Sequence, residues 1–141
     1  MTDKAYEAQK VLRQYRDADR RITELYERIA RLREAGTRAT STWSATRASG
    51  TGNRSNVENA AISAVDLEFQ LDGEIDRLNL MRRQIQDAID QMEDERLKRL
   101  LELRYIDHRS WTYIMIRMEI ERRWSFILHE RALEAFHEKY F

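Results

Sequence analysis

The apolar residues of the first 35 positions follow a regular spacing that restricts the fold strongly. Steps of three and four residues alternate between them, which is the spacing of a coiled-coil seam on one face of an α-helix. The seam comprises Ala8, Val11, Tyr15, Ala18, Ile22, Leu25, Ile29 and Leu32. We predict a helix over residues 3–35, about 50 Å long. It must pack against a partner, because so long a helix is not stable alone in water.

Composition also favours helices over sheets. The chain has no proline and only four glycines among 141 residues, so helix breakers and tight-turn residues are scarce. Hydrophobic residues make up 42% and charged residues 35%, a balance that suits long helices with narrow apolar stripes. We therefore predict an all-α protein that forms one domain, or one extended domain with a small globular end.

A polar segment follows the first helix. Gly36 supplies a helix stop, and residues 37–54 are rich in glycine, serine and threonine without a period, which predicts a flexible linker. Ser55 and Glu58 then form a capping box at the start of a second helix, over residues 56–93. Its apolar face comprises Ala61, Ala64, Leu67, Leu71, Ile75, Leu78, Met81, Ile85, Ala88 and Met92.

The two long helices carry charges of opposite sign. Residues 1–35 contain nine basic and seven acidic residues, net +2, whereas residues 56–95 contain three basic and eleven acidic residues, net −8. Because opposite charges help helices to pair, we predict a charged helical hairpin over residues 1–93. The linker is long enough for the hairpin to close within one chain or to be swapped between two. We expect a homodimer through this hairpin.

The last third of the chain, residues 94–141, predicts three short helices. Asp94 and Ser110 are suited to cap the first and the second of them. Three short helices with a tight turn before a basic one form the layout of a helix-turn-helix unit. The predicted helices span residues 95–105, 110–117 and 122–136, with breaks at 106–109 and 118–121.

Several short motifs of the chain match one known pattern. They are Leu100-Leu101-Glu102-Leu103-Arg104-Tyr105-Ile106, Ser110-Trp111-Thr112-Tyr113-Ile114, Arg123-Trp124 and Leu128-His129-Glu130-Arg131-Ala132-Leu133, with Arg54-Ser55-Asn56-Val57-Glu58 and Val65-Asp66-Leu67-Glu68 upstream. In these motifs the chain resembles a family of small phage and prophage regulators, the late-transcription activators and autolysin-regulator-like proteins. The C-terminal part of that family is similar to region 4 of bacterial sigma factors. The resemblance covers most of the chain.

The resemblance implies a transcriptional regulator that binds double-stranded DNA, while the hairpin dimerises or contacts another protein such as RNA polymerase. Helix 110–117 would cross the phosphate backbone, and helix 122–136 would enter the major groove. Arg122 and Arg123 would reach bases or phosphates, since a guanidinium pairs bidentately with guanine or with a phosphate. The other candidate contacts are Ser125, Phe126, Ile127 and His129 on the same helix, and Arg104, Arg109 and Thr112 toward phosphates.

Three positions depart from the family's pattern. Glu119 stands where such turns often have glycine, and Glu121 stands where serine or threonine usually caps the recognition helix. Ser125 occupies a position that is usually apolar and buried. The helix also opens with the apolar residues Trp124, Phe126 and Ile127. This surface therefore faces either DNA or another protein.

Two alternative functions follow from the same features. The first is a coiled-coil adaptor that binds protein through the apolar start of its last helix, since a net charge of zero gives no global attraction to nucleic acid. The second is a phage DNA-packaging recognition subunit, which also combines a coiled coil with a helix-turn-helix. A packaging subunit predicts a ring-like oligomer, whereas a regulator predicts a dimer.

Other classes of protein find little support in the sequence. Cysteine is absent, and His108, His129 and His137 do not have the spacing of metal ligands. We find no P-loop, nucleophile elbow or dinucleotide fingerprint, so we expect no enzymatic activity, no cofactor and no metal. No apolar run reaches the length of a membrane span, and the first residues are too polar for a signal peptide. We expect a cytoplasmic protein of a bacterial host, without a membrane partner.

Overall fold

A computed structural model describes the backbone of residues 1–45 and 51–141, and the side chains of residues 1–37 and 58–141. Over these residues the protein is all-α, as predicted, and contains no strand. The helices are α1 (Asp3–Ala45), α2 (Thr51–Asp90), α3 (Glu95–Leu101), α4 (Trp111–Met118) and α5 (Arg122–Tyr140). A π-helical turn, Glu102–Ile106, directly continues α3.

Both long helices extend into the segment that was predicted to be a linker. α1 passes through Gly36 and runs to Ala45, and α2 begins at Thr51, before the predicted cap Ser55. The flexible linker over residues 37–54 is therefore wrong for its helical parts; residues 46–50 lie outside the described residues. Serine and threonine lower helix propensity by only a few tenths of a kcal/mol, and glycine by about 1 kcal/mol. A polar composition without proline does not by itself end a helix.

The contacts divide the chain into two compact units, and the division does not fall near residue 94. One unit, here called the core unit, contains residues 1–18 and 78–141; the other, the hairpin unit, contains residues 19–77. The first turns of α1 and the last turns of α2 belong with α3, α4 and α5 because they share one hydrophobic core. Its largest fully buried side chains are Leu12, Tyr15, Ile85, Ile89, Leu100, Leu101, Tyr105, Leu133 and Phe136.

In the hairpin unit, α1 and α2 of the same chain pair in antiparallel orientation. The Nε atom of Arg21 lies 3.4 Å from an Oε atom of Glu74, and Arg33 forms an ion pair with Glu68. Arg33, later in α1, thus pairs with Glu68, earlier in α2, as antiparallel helices require. The basic helix and the acidic helix pair as predicted from their charges. Exposed pairs of this kind contribute less than about 1 kcal/mol each. Among the described side chains of this unit, the buried ones are Ile22, Leu25, Ile29, Ala64 and Leu71.

The helices α3 and α4 begin where the sequence predicts. An Oδ atom of Asp94 accepts hydrogen bonds from the backbone N–H groups of Arg96 (2.9 Å) and Leu97 (3.4 Å). The hydroxyl of Ser110 accepts one from the N–H of Tyr113 (3.2 Å). Each side chain satisfies a backbone donor that has no partner inside its helix. Both predicted caps are confirmed.

The turn between α4 and α5 has a defined geometry. Glu119 adopts the left-handed conformation, with φ 56° and ψ 48°. Its N–H donates to the carbonyl of Ile116 at 3.3 Å, and the N–H of Ile120 donates to the carbonyl of Met115 at 3.0 Å. This pair of hydrogen bonds is a Schellman motif, and the buried side chain of Ile120 completes it. Glu119 therefore occupies the position of the turn at which glycine is favoured.

Replacing Glu119 with glycine is expected to raise the free energy of unfolding by about 1 kcal/mol. A residue with a Cβ atom pays roughly 1–2 kcal/mol in the left-handed region, and glycine avoids most of that cost. Glu119→Ala is the matched control, because it removes the carboxylate but keeps the Cβ atom. Urea denaturation of both variants measures the difference. Equal stabilities of the glycine and alanine variants would contradict this explanation.

Candidate nucleic-acid interface

The N-terminal end of α5 presents two exposed basic side chains, Arg122 and Arg123. Glu121, the residue before the helix, has an extended backbone and makes no side-chain capping bond. The first N–H groups of a helix lack intrahelical partners, and the helix dipole is positive there. The two guanidinium groups add to that positive potential. This end of α5 is therefore suited to bind an anion or the acceptor atoms of a base edge.

Most of the predicted DNA contacts are accessible, and they form two groups. The first group lies at the start of α4, where Nη1 of Arg104 donates to the carbonyl of Arg109 at 3.0 Å. The second lies at the start of α5, where the guanidinium of Arg122 is 5.9 Å from the ring centre of Phe126. Arg109, Thr112, Arg122, Arg123 and Phe126 are exposed, and Arg104 and Ile127 are half-buried.

Two of the predicted contacts, Ser125 and His129, are wrong because both side chains are buried. Ser125 is 3% exposed, and its hydroxyl donates to the carbonyl of Arg122 at 2.6 Å. His129 is 5% exposed and is hydrogen-bonded to Tyr105. Both lie on the stripe of α5 that faces the core, at the three- and four-residue spacing of a buried helix face. The other buried residues of that stripe are Leu128, Ala132, Leu133 and Phe136.

A buried polar pair joins the π-helical turn to α5. The hydroxyl of Tyr105 lies 2.8 Å from Nε2 of His129, and the ring of Trp111 meets the His129 ring edge-on at 4.7 Å. The pKa of His129 is lowered to about 4, first by burial and then by the charges of Arg104 and Arg13, against an opposing effect of Glu130. Burial also raises the pKa of Tyr105. Both groups are therefore neutral at pH 7 and lie in the core.

The first turns of α1 cover an acidic part of α5. The N–H of Thr2 donates to an Oε atom of Glu130 at 3.0 Å, and its hydroxyl donates to Glu134 at 2.9 Å. Farther along α5, Nε2 of His137 lies 2.7 Å from an Oε atom of Glu7. The carboxylates of Glu130 and Glu134 are thus engaged within the core unit. Sequence reasoning did not find these contacts, which join residues more than 120 positions apart.

Apolar side chains remain exposed beside the arginines. Ile116 is 74% exposed, Phe126 61% and Trp124 40%. The guanidinium of Arg131 lies 5.6 Å from the ring centre of Trp124, a cation–π arrangement. An exposed apolar patch with arginines is suited to contact thymine methyl groups or a protein surface. The apolar start of α5 is therefore accessible to a partner, whether that partner is DNA or a protein.

Among the side chains of the described part of the chain, no group of histidine, aspartate and glutamate residues is placed to hold a metal ion. No helix of that part is long and apolar enough to cross a membrane.

Comparison of the chain with models of known families, with curated proteins and with solved structures finds no match. The resemblance to phage regulators rests on the sequence motifs and stays a prediction.

Proposed function

We propose that the protein is a phage-type transcriptional regulator that binds double-stranded DNA through α5. The observation that carries this proposal is the pair of exposed arginines, Arg122 and Arg123, at the free N-terminal end of a helix that follows a tight turn. The major groove of B-DNA admits one α-helix, and residues at the helix N-terminus reach its base edges. The resemblance of the motifs to phage regulators supports the same function.

The start of α4 supplies the contacts that would position the protein on the duplex. In a helix-turn-helix unit the first helix crosses the phosphate backbone, and about half or more of all hydrogen bonds go to phosphates and sugars. Arg109 and Thr112 are exposed at this end of α4. These features fit a DNA-facing surface built from both helices.

Arg122→Ala and Arg123→Ala are expected to weaken DNA binding. A bidentate contact to a base contributes about 1–3 kcal/mol, or roughly fivefold to 150-fold in affinity. Fluorescence anisotropy with a random duplex and with fragments flanking the protein's own gene measures the effect. Lys139→Ala is the matched control, because it removes one exposed positive charge from the other end of the same helix. Unchanged affinity of both arginine variants would refute the assignment of α5.

Binding by the wild-type protein should fall steeply with salt and be tighter for one fragment than for random DNA. If the folded protein binds no duplex even at low salt, the second candidate, a protein-binding adaptor, is favoured. The specific observation behind that candidate is the exposure of Trp124 and Phe126, 40% and 61%.

For the hairpin unit we propose association with a second copy through the outer face of α2. Ile62, Val65 and Phe69 are 61%, 60% and 83% exposed, at the spacing of successive helical turns. Large apolar side chains gain free energy when they leave water, about 1.5–3 kcal/mol each if fully buried. A self-associating face of this kind would give a closed dimer. Exposed carboxylates on the same helix, those of Asp66, Asp72 and Asp76, would oppose it at low salt.

Phe69→Glu is expected to convert a dimer into a monomer, and added salt should strengthen the wild-type dimer by screening the carboxylates. Analytical ultracentrifugation at two salt concentrations measures both effects. Gln70→Glu is the matched control, since it adds the same charge at the neighbouring position and keeps the apolar side chain. A monomeric wild-type protein would contradict the proposal, and a ring-like oligomer would favour the packaging subunit.

A further inference from the structure

Arginines from two distant parts of the sequence lie on one aromatic cluster in the core unit. The guanidinium carbon of Arg16, in α1, is 5.9 Å from the ring centre of Tyr105. That of Arg104, in the π-helical turn, is 5.0 Å from the ring centre of Trp111. Tyr105 and Trp111 both contact the same residue, His129. The cluster therefore carries positive charge from α1 and from the start of the helix-turn-helix.

A third arginine belongs to the same group. Arg13 precedes Arg16 by three residues, so the two side chains lie on one side of α1. Burial raises the pKa of Tyr105 and lowers that of His129, and the charges of Arg13 and Arg104 act to lower both, so both guanidinium groups lie within electrostatic reach of that pair. Arg13, Arg16 and Arg104 thus concentrate positive charge around one buried polar pair.

Two of these three charges, those of Arg13 and Arg16, are poorly compensated by the described residues. In the described part of the chain, no ion pair joins Arg13 or Arg16 to a carboxylate. The Nε atom of Arg16 is buried and has no hydrogen-bond acceptor. A buried donor without an acceptor is unfavourable, and turning the Arg16 guanidinium toward an oxyanion would satisfy it.

The start of α4 lies beside the cluster. Arg104 donates to the carbonyl of Arg109, the residue just before the cap Ser110. The N-terminal end of α4 adds the positive end of its helix dipole. Guanidinium groups beside a helix N-terminus are the chemistry that recognises phosphate.

We propose that Arg13, Arg16 and Arg104 form a phosphate-binding subsite, at which α1 contacts the DNA backbone beside the start of α4. This inference rests on the proposed function and extends it, because α1 was predicted only as part of a hairpin. The subsite reads no sequence. It fixes the position of α5 in the groove, and α1 is thereby part of the nucleic-acid surface.

The first experiment measures the salt dependence of duplex binding for Arg13→Gln and Arg16→Gln. Each phosphate contact contributes about 0.9 to the slope of log affinity against log salt, which corresponds to about eightfold in affinity at 0.1 M salt. We expect each variant to lose about that much for specific and random duplexes alike. Lys4→Gln, on the opposite side of α1 from Arg13, is the charge-matched control and should keep the wild-type slope. Thermal melts followed by circular dichroism verify folding.

The second experiment titrates the wild-type protein with inorganic phosphate and follows the Nε–H resonance of Arg16 by NMR, with sodium chloride at equal ionic strength as the control. We expect phosphate, and not chloride, to shift this resonance. Wild-type DNA binding with an unchanged slope in both variants would overturn the subsite and leave the proposed function standing. A phosphate shift without any DNA binding would support the subsite as a site for free phosphate and refute the proposed function. No shift and no DNA binding would overturn both.

Discussion

A fragment of residues 94–141 is expected to be unfolded in water, although it contains the whole predicted helix-turn-helix unit. It lacks the turns of α1 and α2 that complete the core, including the fully buried side chains of Leu12, Tyr15, Ile85 and Ile89. Burying a side chain of this size contributes about 1.5–3 kcal/mol. Domains below about 70 residues rarely hold more than 3–5 kcal/mol of net stability, so the loss of four such side chains exceeds what is available.

Far-ultraviolet circular dichroism and a thermal melt of the fragment measure this outcome. In the full chain, Leu12→Ala should lower the free energy of unfolding by about 2–5 kcal/mol, because a fully buried leucine is truncated. Leu80→Ala is the matched control within the same unit, since Leu80 is 52% exposed and should lose far less. A helical fragment with a cooperative melt would contradict this expectation and would show that residues 94–141 fold independently.

The elements that the sequence predicted well are those with strong local signals. The apolar steps of three and four residues locate both long helices, and Asp94 and Ser110 cap the short ones. The predicted helix ends around residues 37–54 are wrong because composition alone suggested a break there. The chain has no proline that would enforce one. The π-helical turn at Glu102–Ile106 has no local signal in the sequence, and its Tyr105 bonds to His129, 24 positions away.

The candidate site was predictable only in part for a related reason. Arg122 and Arg123 are exposed as expected for the start of a helix that follows a tight turn. Whether Ser125 and His129 face outward depends on the rotation of α5 about its axis. That rotation is set by the core it shares with α1, more than 100 positions away in the sequence. A similar separation in sequence hides Arg16, whose guanidinium comes within 5.9 Å of the Tyr105 ring centre only once α1 is packed.

Acid is expected to destabilise the core unit through His129. The pKa of His129 is lowered to about 4 in the folded protein, first by burial and then by Arg104 and Arg13, whereas an unfolded histidine titrates near 6.5. The stabilisation that follows is fully present above pH 6.5. Between pH 6.5 and about 4 the unfolded chain binds a proton that the folded protein does not, so the free energy of unfolding falls as the pH falls. The loss from this histidine is at most about 3 kcal/mol.

Urea denaturation at several pH values between 7 and 4.5 measures this dependence. Carboxylates titrate in the same range, so the effect of His129 is the difference between the wild type and a variant without the pair. Tyr105→Phe combined with His129→Phe removes both polar partners and keeps two rings of similar size, which avoids leaving a buried donor unpaired. We expect this double variant to lose stability less steeply with acid, and His108→Gln, at an exposed histidine, to follow the wild type. Identical pH profiles for all three proteins would show that folding does not lower the pKa of His129, and would contradict this explanation.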